Sequence, residues 1–467
     1  MNGNLYALLA SRFPADRTRP LFRLPSGAVI SYGDLEAGAG RLAALLKAKG
    51  VQVGDRVAVQ APKSPEMVML YLATLKVGAA LLPLNTAYTQ AEIDYFVGDA
   101  EPALFVTDAV ALAAEAANLA PLDDVHEAAP GDLAAILYTS GTTGRSKGAM
   151  LSHAALGANG LALTEAWGFT ADDVLLHALP IYHVHGLFIA LHCVFLAGAS
   201  LNWLDKFEDA AVLAALPRST VMMGVPTFYT RLLSNPNFGR KAAETIRLFI
   251  CGSAPLLPST FAEFEERAGQ PILERYGMSE AAIITTNPLV GERIAGSVGF
   301  PLPGVALRIG DDGILQIKGP SVTSGYWRNP AKTAEAFTDD GFFITGDVGR
   351  LDETGRVWLS GRSSDLIISG GLNVYPKEIE LVIDELEGVV ESAVIGCPHP
   401  DFGEAVVAVV AGGGDEAAVL EATRTQLANF KRPKAVFFVA DLPRNTMGKV
   451  LKAELRRQYA DVFKTSP

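Results

Sequence analysis

Between Ser31 and Thr107 the chain alternates helix and strand signals, and this alternation narrows its possible folds more than any other feature. Ser31 is placed to cap a helix that carries Leu35, Leu42, Leu45 and Leu46 and stops at Gly50. Val57 to Val59 reads as a short strand. Ser64-Pro65 supplies an N-cap and a proline at the first helical position. Ala79 to Leu84 is an apolar run of strand length. Thr89 to Glu92 has capping-box spacing before a further helix, and Ala103 to Thr107 is again strand-like. Strands separated by helices pair in parallel and are covered on both faces, so the expectation is an α/β fold of doubly wound sheets.

The chain has 467 residues, more than one core usually holds, which predicts a large domain and a smaller one. The boundary is expected near Gly361 to Asp365. Gly355 to Ser360 reads as the end of a β segment, Leu366 to Ser369 as a strand, Gly370-Gly371 as a turn, Pro376 as a helix start, and Glu391 to Gly396 as a further strand. This predicts domains over 1–363 and 364–467, the second a small α+β unit of about a hundred residues.

Formal charge is −12, which argues against a general binder of nucleic acid or of anionic membrane. No apolar stretch reaches the ~18 residues of a membrane span. The most apolar segment, Leu187 to Leu201, is broken by His192, Gly198 and Ser200. Met1 to Asn4 shows no signal-peptide pattern. Cys193, Cys251 and Cys397 are far apart and odd in number, which suits a reducing cytoplasm rather than a disulfide framework or a metal set. Between Arg424 and Arg457 nine residues are basic and only Asp441 and Glu454 are acidic, either a solvated face or an anion-binding segment.

The strongest local signal is Tyr138-Thr139-Ser140-Gly141-Thr142-Thr143-Gly144-Arg145-Ser146-Lys147-Gly148, preceded by a strand signal at Ile136 to Tyr138. Glycines at 141, 144 and 148 let backbone N–H groups turn inward, the hydroxyls add donors, and Lys147 adds positive charge. Together they can cradle a polyphosphate, although the Walker spacing is absent.

This loop resembles the phosphate loop of the adenylate-forming superfamily: acyl-CoA synthetases, peptide-synthetase adenylation domains and luciferases. Further segments resemble the remaining family motifs, in the family's order. They are Leu179 to Gly186 (the acid pocket), Gly252-Ser253-Ala254-Pro255 (beside adenine) and Glu274-Arg275-Tyr276-Gly277-Met278-Ser279-Glu280 (adenine and magnesium). After these come Thr345-Gly346-Asp347 (ribose), Gly361-Arg362 with Asp365 and Gly370-Gly371 (hinge), and Pro443 to Lys449 (the catalytic lysine). The resemblance spans almost the whole chain. It implies a large N-terminal domain with a β-barrel-like subdomain and a small mobile C-terminal domain.

What the resemblance implies for chemistry is ATP-dependent activation of a carboxylic acid, then transfer to coenzyme A. ATP would be held by Thr139 to Gly144, Lys147, Gly252 to Ala254, Glu274 to Ser279, Asp347 and Arg362. Glu280 would hold Mg²⁺, a hard cation that prefers oxygen ligands. Ser279 stands where the family usually has Thr. Lys449 would bridge the carboxylate and the α-phosphate, because two anions must meet and charge neutralisation carries the step. In the second step the small domain would turn about Ser364, where the family usually has Asp or Lys, and Gly370 and Gly371 would line the thiol's channel. Phe402, Phe430, Arg432 and Lys434 would hold the nucleotide end of coenzyme A.

Arg293, in Val290 to Gly296, follows the magnesium motif. With Leu179 to Phe188, Met223 to Thr227 and Asn287-Pro288 it closely resembles malonyl-CoA synthetases, where the corresponding Arg binds the distal carboxylate. His183 would gate the acid pocket and His185 would line it. The activity implied is joining malonate, with methylmalonate open, to coenzyme A, giving malonyl-CoA, AMP and pyrophosphate. Other readings are a ligase for another short or medium acid, a carrier-loading adenylation domain, and a nucleotide-binding protein without catalysis. A lysine acetyltransferase and deacetylase acting at Lys449 are expected partners, since acetylation removes the charge. The chain departs from the family pattern at Ala281 to Ile284, where a polar residue commonly follows Glu280, and is shorter near Pro121 to Asp132 and Arg308 to Gln316.

Overall fold

A computed structural model describes residues 2–139, 146–444 and 449–463. The fold is mixed α/β and divides into two compact units. The larger covers residues up to Leu307 together with Ile317–Phe343, and the smaller covers Arg308–Gln316 and Ile344 onward.

Among the described residues the larger unit holds two sheets. One has nine strands and the other five. In the nine-stranded sheet the strands Leu273–Met278, Leu248–Cys251, Val221–Gly224, Val174–His177, Ser200–Trp203 and Pro20–Arg23 run parallel, with antiparallel pairs only at the edges. The inner strands are buried at every position of Val221–Gly224 and Leu248–Cys251, as strands covered on both faces must be. The five-stranded sheet takes Arg56–Val59, Ala80–Pro83, Leu104–Val106 and the hairpin Leu133–Thr139 with Lys147–Ser152. Helix Pro65–Lys76 lies in the core and buries every side chain but Glu66, so it shows no polar face.

Local signals set the helix starts. Ser31 and Asp34 form a capping box for Tyr32–Ala48, and Thr89 and Glu92 form one for Gln90–Ala100. Ser64 caps Pro65–Lys76 with proline in the first turn. Each such cap stabilises its helix by about 1 kcal/mol.

The amino ends of three adjacent parallel strands are tied by one polar network. The buried Asp173 receives a two-point salt bridge from Arg247 Nε and Nη2, both at 2.8 Å, and a hydrogen bond from Thr220 Oγ1 at 2.7 Å. Arg247 also donates to the carbonyls of Trp167 and Gly168 at 3.1 and 3.0 Å. Asp173 is buried while Arg247 reaches solvent, so removing the guanidinium leaves a buried carboxylate with fewer donors. Arg247→Ala is therefore expected to lower unfolding free energy by about 1–2 kcal/mol, read from urea denaturation. An unchanged midpoint would show that Asp173 finds other partners.

A further four-stranded sheet joins Ala306–Ile309, Ile314–Lys318, Phe343–Leu351 and Val357–Arg362, and the smaller unit holds a five-stranded sheet. The latter joins Ile367–Ser369, Leu372–Val374, Val389–His399, Gly403–Gly412 and Ala435–Val439, with helices Pro376–Asp384 and Glu416–Gln426 closing its core. No helix among the described residues is long and apolar enough to cross a membrane, and the three cysteines are free and buried.

Candidate active site

The candidate residues of the larger unit gather at the carboxyl ends of its parallel strands, the end where open α/β sheets place ligands. The register Cys251 with Glu274 sets Gly252 beside Arg275. Arg275 is 5% exposed, and its Nε and Nη2 are buried with no hydrogen-bond partner among the described residues. Its pKa falls to about 10 through burial, so it stays charged at neutral pH. A Cβ on Gly252 would stand 2.5 Å from Arg275 Cζ, so only glycine leaves room for the guanidinium. Ser253 takes the left-handed backbone conformation at φ 71° and contacts His185 Nδ1 through Oγ at 3.2 Å.

His183 and His185 are held neutral. Burial pushes His183 down to about 4 and His185 well below its ordinary value, and the Arg275 cation lowers both further. His183 Nδ1 accepts the His185 N–H at 3.3 Å, and His185 Nε2 is buried with no partner among the described residues. A buried cation and two neutral imidazoles thus offer N–H donors with no acidic side chain among the described residues bonded to them. A carboxylate is the group that such a set pairs with.

Arg293, expected to meet the acid's second carboxylate, is half-buried. Nε, Nη1 and Nη2 donate to the carbonyls of Pro288, Pro271 and Leu289 at 3.2, 2.8 and 2.9 Å. Each nitrogen is engaged by backbone, and the side chain fastens the loop after the strand Ala282–Thr286. Glu274 serves the same loop. Its Oε1 accepts the Gly296 N–H at 3.0 Å, and burial raises its pKa to about 7. Asn287 completes the fastening by donating to the carbonyls of Glu274 and Ser297 at 3.0 and 2.6 Å.

On the phosphate side, Ser140 to Gly144 lie outside the described residues, while Thr139 and Lys147 flank them on the hairpin. Lys147 Nζ lies 5.2 Å from the centre of the Tyr326 ring, and the Tyr326 hydroxyl donates to Glu280 Oε1 at 3.2 Å. The Thr323 N–H donates to the Glu280 carbonyl at 2.6 Å. One short segment thus touches both the phosphate-loop lysine and the expected magnesium ligand. Nothing in the sequence singles out Thr323 or Tyr326, because their role rests on backbone pairing with strands far away in the chain. Glu280 and Tyr276 are buried; Gly277, Met278 and Ser279 are half-buried; Ala254 is exposed.

In the smaller unit Asp347 and Arg362 pair at 2.6 Å, and Arg456 holds Asp365 at 2.7 Å. Lys449 joins this cluster. Although the residue is exposed over much of its surface, crowding around the ammonium lowers its pKa. The Arg362 cation lowers it further, while Asp347 and Asp365 raise it. Gly370 and Gly371 have φ of 57° and 79°, and the Gly370 N–H donates to the Phe402 carbonyl at 2.8 Å. Lys434 Nζ stands 5.6 Å from the Phe402 ring centre. Phe430 packs partly against the unit's own core, and Arg432 donates to the Leu427 carbonyl at 3.2 Å. Gly370, Gly371, Phe402 and Lys434 are therefore brought together, and Phe430 and Arg432 serve the neighbouring turn. Ser364 is exposed in a short helical turn, Ser363–Asp365.

The family model of AMP-binding enzymes matches residues 9–327, that of the AMP-binding enzyme C-terminal domain matches 378–449, and the chain belongs to this family. A malonate–CoA ligase of Arabidopsis thaliana is 35% identical, spanning 86% of this chain and 78% of that protein. A feruloyl-CoA synthase of Amycolatopsis is 34% identical, spanning 93% of this chain and 94% of that protein. The crystal structure of ATP-bound MatB from Rhodopseudomonas palustris is 50% identical and superimposes with a TM-score of 0.96, covering 99% of this chain and all of that one.

Proposed function

We propose that this chain is an ATP-dependent malonate–CoA ligase that works through an acyl-adenylate and releases AMP and pyrophosphate. The observation that carries the acid's identity is Arg275: a buried, permanently charged guanidinium with two unused donors beside neutral His183 and His185. One carboxylate of malonate reacts, and the other answers this cation. We assign the distal carboxylate to Arg275 rather than Arg293, whose nitrogens are engaged by backbone carbonyls. An acid without a second carboxylate leaves Arg275 buried and unpaired, which costs binding. The likeness to a malonate–CoA ligase and to MatB supports the same reading.

Lys449 neutralises charge as the carboxylate attacks the α-phosphorus, and Asp347 accepts hydrogen bonds from the ribose hydroxyls. Magnesium, when bound, screens the phosphate charge. The buried Glu280, oriented by Tyr326, would supply the hard oxygen ligand it prefers. Residues 364–467 turn about Ser364 between the two steps. Gly370, Gly371, Phe402 and Lys434 then receive coenzyme A. Acetylation of Lys449 would remove the charge that the first step needs.

The test is a coupled thioester assay with malonate, methylmalonate, succinate, acetate and butyrate, with AMP followed with and without coenzyme A. Malonate is expected to exceed acetate and butyrate by roughly a hundredfold or more in kcat/KM, the scale set by leaving buried donors unpaired. Equal use of the monocarboxylates would sink the malonate reading and leave a general acid–CoA ligase.

A further inference from the structure

A second polar chain lies behind the acid site, built from residues outside every family motif. Lys63 is half-buried beside the strand Val174–His177, with Nζ at 2.9 Å from His177 Nδ1, 2.9 Å from the His177 carbonyl and 2.5 Å from the Leu204 carbonyl. Its ammonium also lies 4.3 Å from the centre of the Trp203 ring, against which His177 stacks at 5.3 Å. Three protons thus meet three acceptors. An ammonium only donates, so His177 Nδ1 must be the accepting, unprotonated nitrogen. The ring proton then resides on Nε2, which donates to the Gly186 carbonyl at 2.9 Å. Burial and the nearby Lys63 keep the ring neutral; the surroundings also pull the Lys63 pKa well down, against Asp205, which favours its ammonium.

Gly186 stands in the wide helical turn His185–Ala190, directly after His185, and the Leu187 N–H donates to the His183 carbonyl at 3.0 Å. This backbone has no slack, since a Cβ at 186 would stand 2.1 Å from the Pro180 carbonyl oxygen. Holding the Gly186 carbonyl therefore holds the segment that presents His183 and His185.

We propose that Lys63 and His177 form a positioning relay for the acid site. The Lys63 ammonium fixes His177 as its Nε2–H tautomer, and that N–H anchors the Gly186 carbonyl so that His183 and His185 stay beside Arg275. The inference rests on the assignment of that site to the acid. Lys63 and His177 are positioning residues; neither touches the reacting atoms.

The experiment is nitrogen NMR on the full chain labelled at histidine, joined to steady-state kinetics. The wild-type His177 signals are expected to show a neutral ring with the proton on Nε2. In Lys63→Met the fixed tautomer is lost and KM for malonate rises about tenfold, with KM for ATP within about twofold, the weight of one lost charge-assisted hydrogen bond. His177→Gln can accept from Lys63 through Oε1 and donate to Gly186 through Nε2, so it keeps KM for malonate within about threefold, whereas His177→Leu raises it about tenfold. A wild-type proton on Nδ1, or equal behaviour of the Gln and Leu variants, overturns the relay even if Lys63→Met does not fold. If wild type forms a thioester from none of the acids, the functional reading fails separately, and the tautomer spectrum still decides the relay.

Discussion

Arg275→Met is expected to lower kcat/KM for malonate by roughly a thousandfold, about 4 kcal/mol, the scale of losing a buried, hydrogen-bonded charge partner. The substituted side chain is of similar length and apolar, so no orphaned polar atom is left in the fold. Thermal stability should stay near wild type or rise. KM for ATP should stay within a few-fold, because the guanidinium acts on His183 and His185 of the expected acid pocket. The relative use of butyrate should rise, since an apolar pocket no longer holds an unpaired cation. Arg275→Lys should recover only part of the malonate activity, because a point charge lacks the guanidinium fork. Arg293→Ala gives the contrast. It frees the carbonyls of Pro271, Pro288 and Leu289 and should loosen the loop, with a stability loss and no selective change between malonate and butyrate. If Arg275→Met keeps the preference for malonate, Arg275 is not the carboxylate partner.

The second large effect is expected at Lys449. Lys449→Ala should slow formation of the acyl-adenylate by roughly 10²–10³, the scale of removing a preorganised charge from a site where negative charge builds up. Thioester formation from supplied malonyl-adenylate should change by less than about fivefold, because the anionic encounter is already past. The cluster of Asp347, Arg362, Asp365 and Lys449 supports this reading, since one unit presents the lysine beside the expected ribose contacts. Single-turnover measurement of each half-reaction separates the two. Equal loss in both would make Lys449 a structural cation.

How much of this was legible before folding depends on how local each signal is. Ser31, Ser64 and Thr89 announce their helices because a cap satisfies donors only three residues away. The strand Ala80–Pro83 announces itself because a strand buried on both faces must be apolar throughout. The motif order carried the family, because each motif keeps its chemistry within a few consecutive residues.

The surroundings of the arginines were not legible in that way. Arg275 and Arg293 both lie near the magnesium motif, and the resemblance favours Arg293 as the acid's partner. The fold distinguishes them through atoms far away in the chain. A carbonyl 22 residues away takes one Arg293 donor, while a glycine lies beside Arg275 and its Nε and Nη2 meet no acceptor among the described residues. The same holds for Lys63, whose histidine partner is 114 residues away. Whether a buried donor is satisfied or open depends on which distant backbone is folded against it.

By itself, then, the sequence determined the alternating α/β architecture, the helix starts and the family. These rest on period, capping and short motifs that act over a few residues. Only the tertiary structure decided which buried cation keeps donors without a partner among the described residues and which is fastened to carbonyls. Those outcomes follow from desolvation and hydrogen-bond satisfaction, and both exist only once distant segments have packed together.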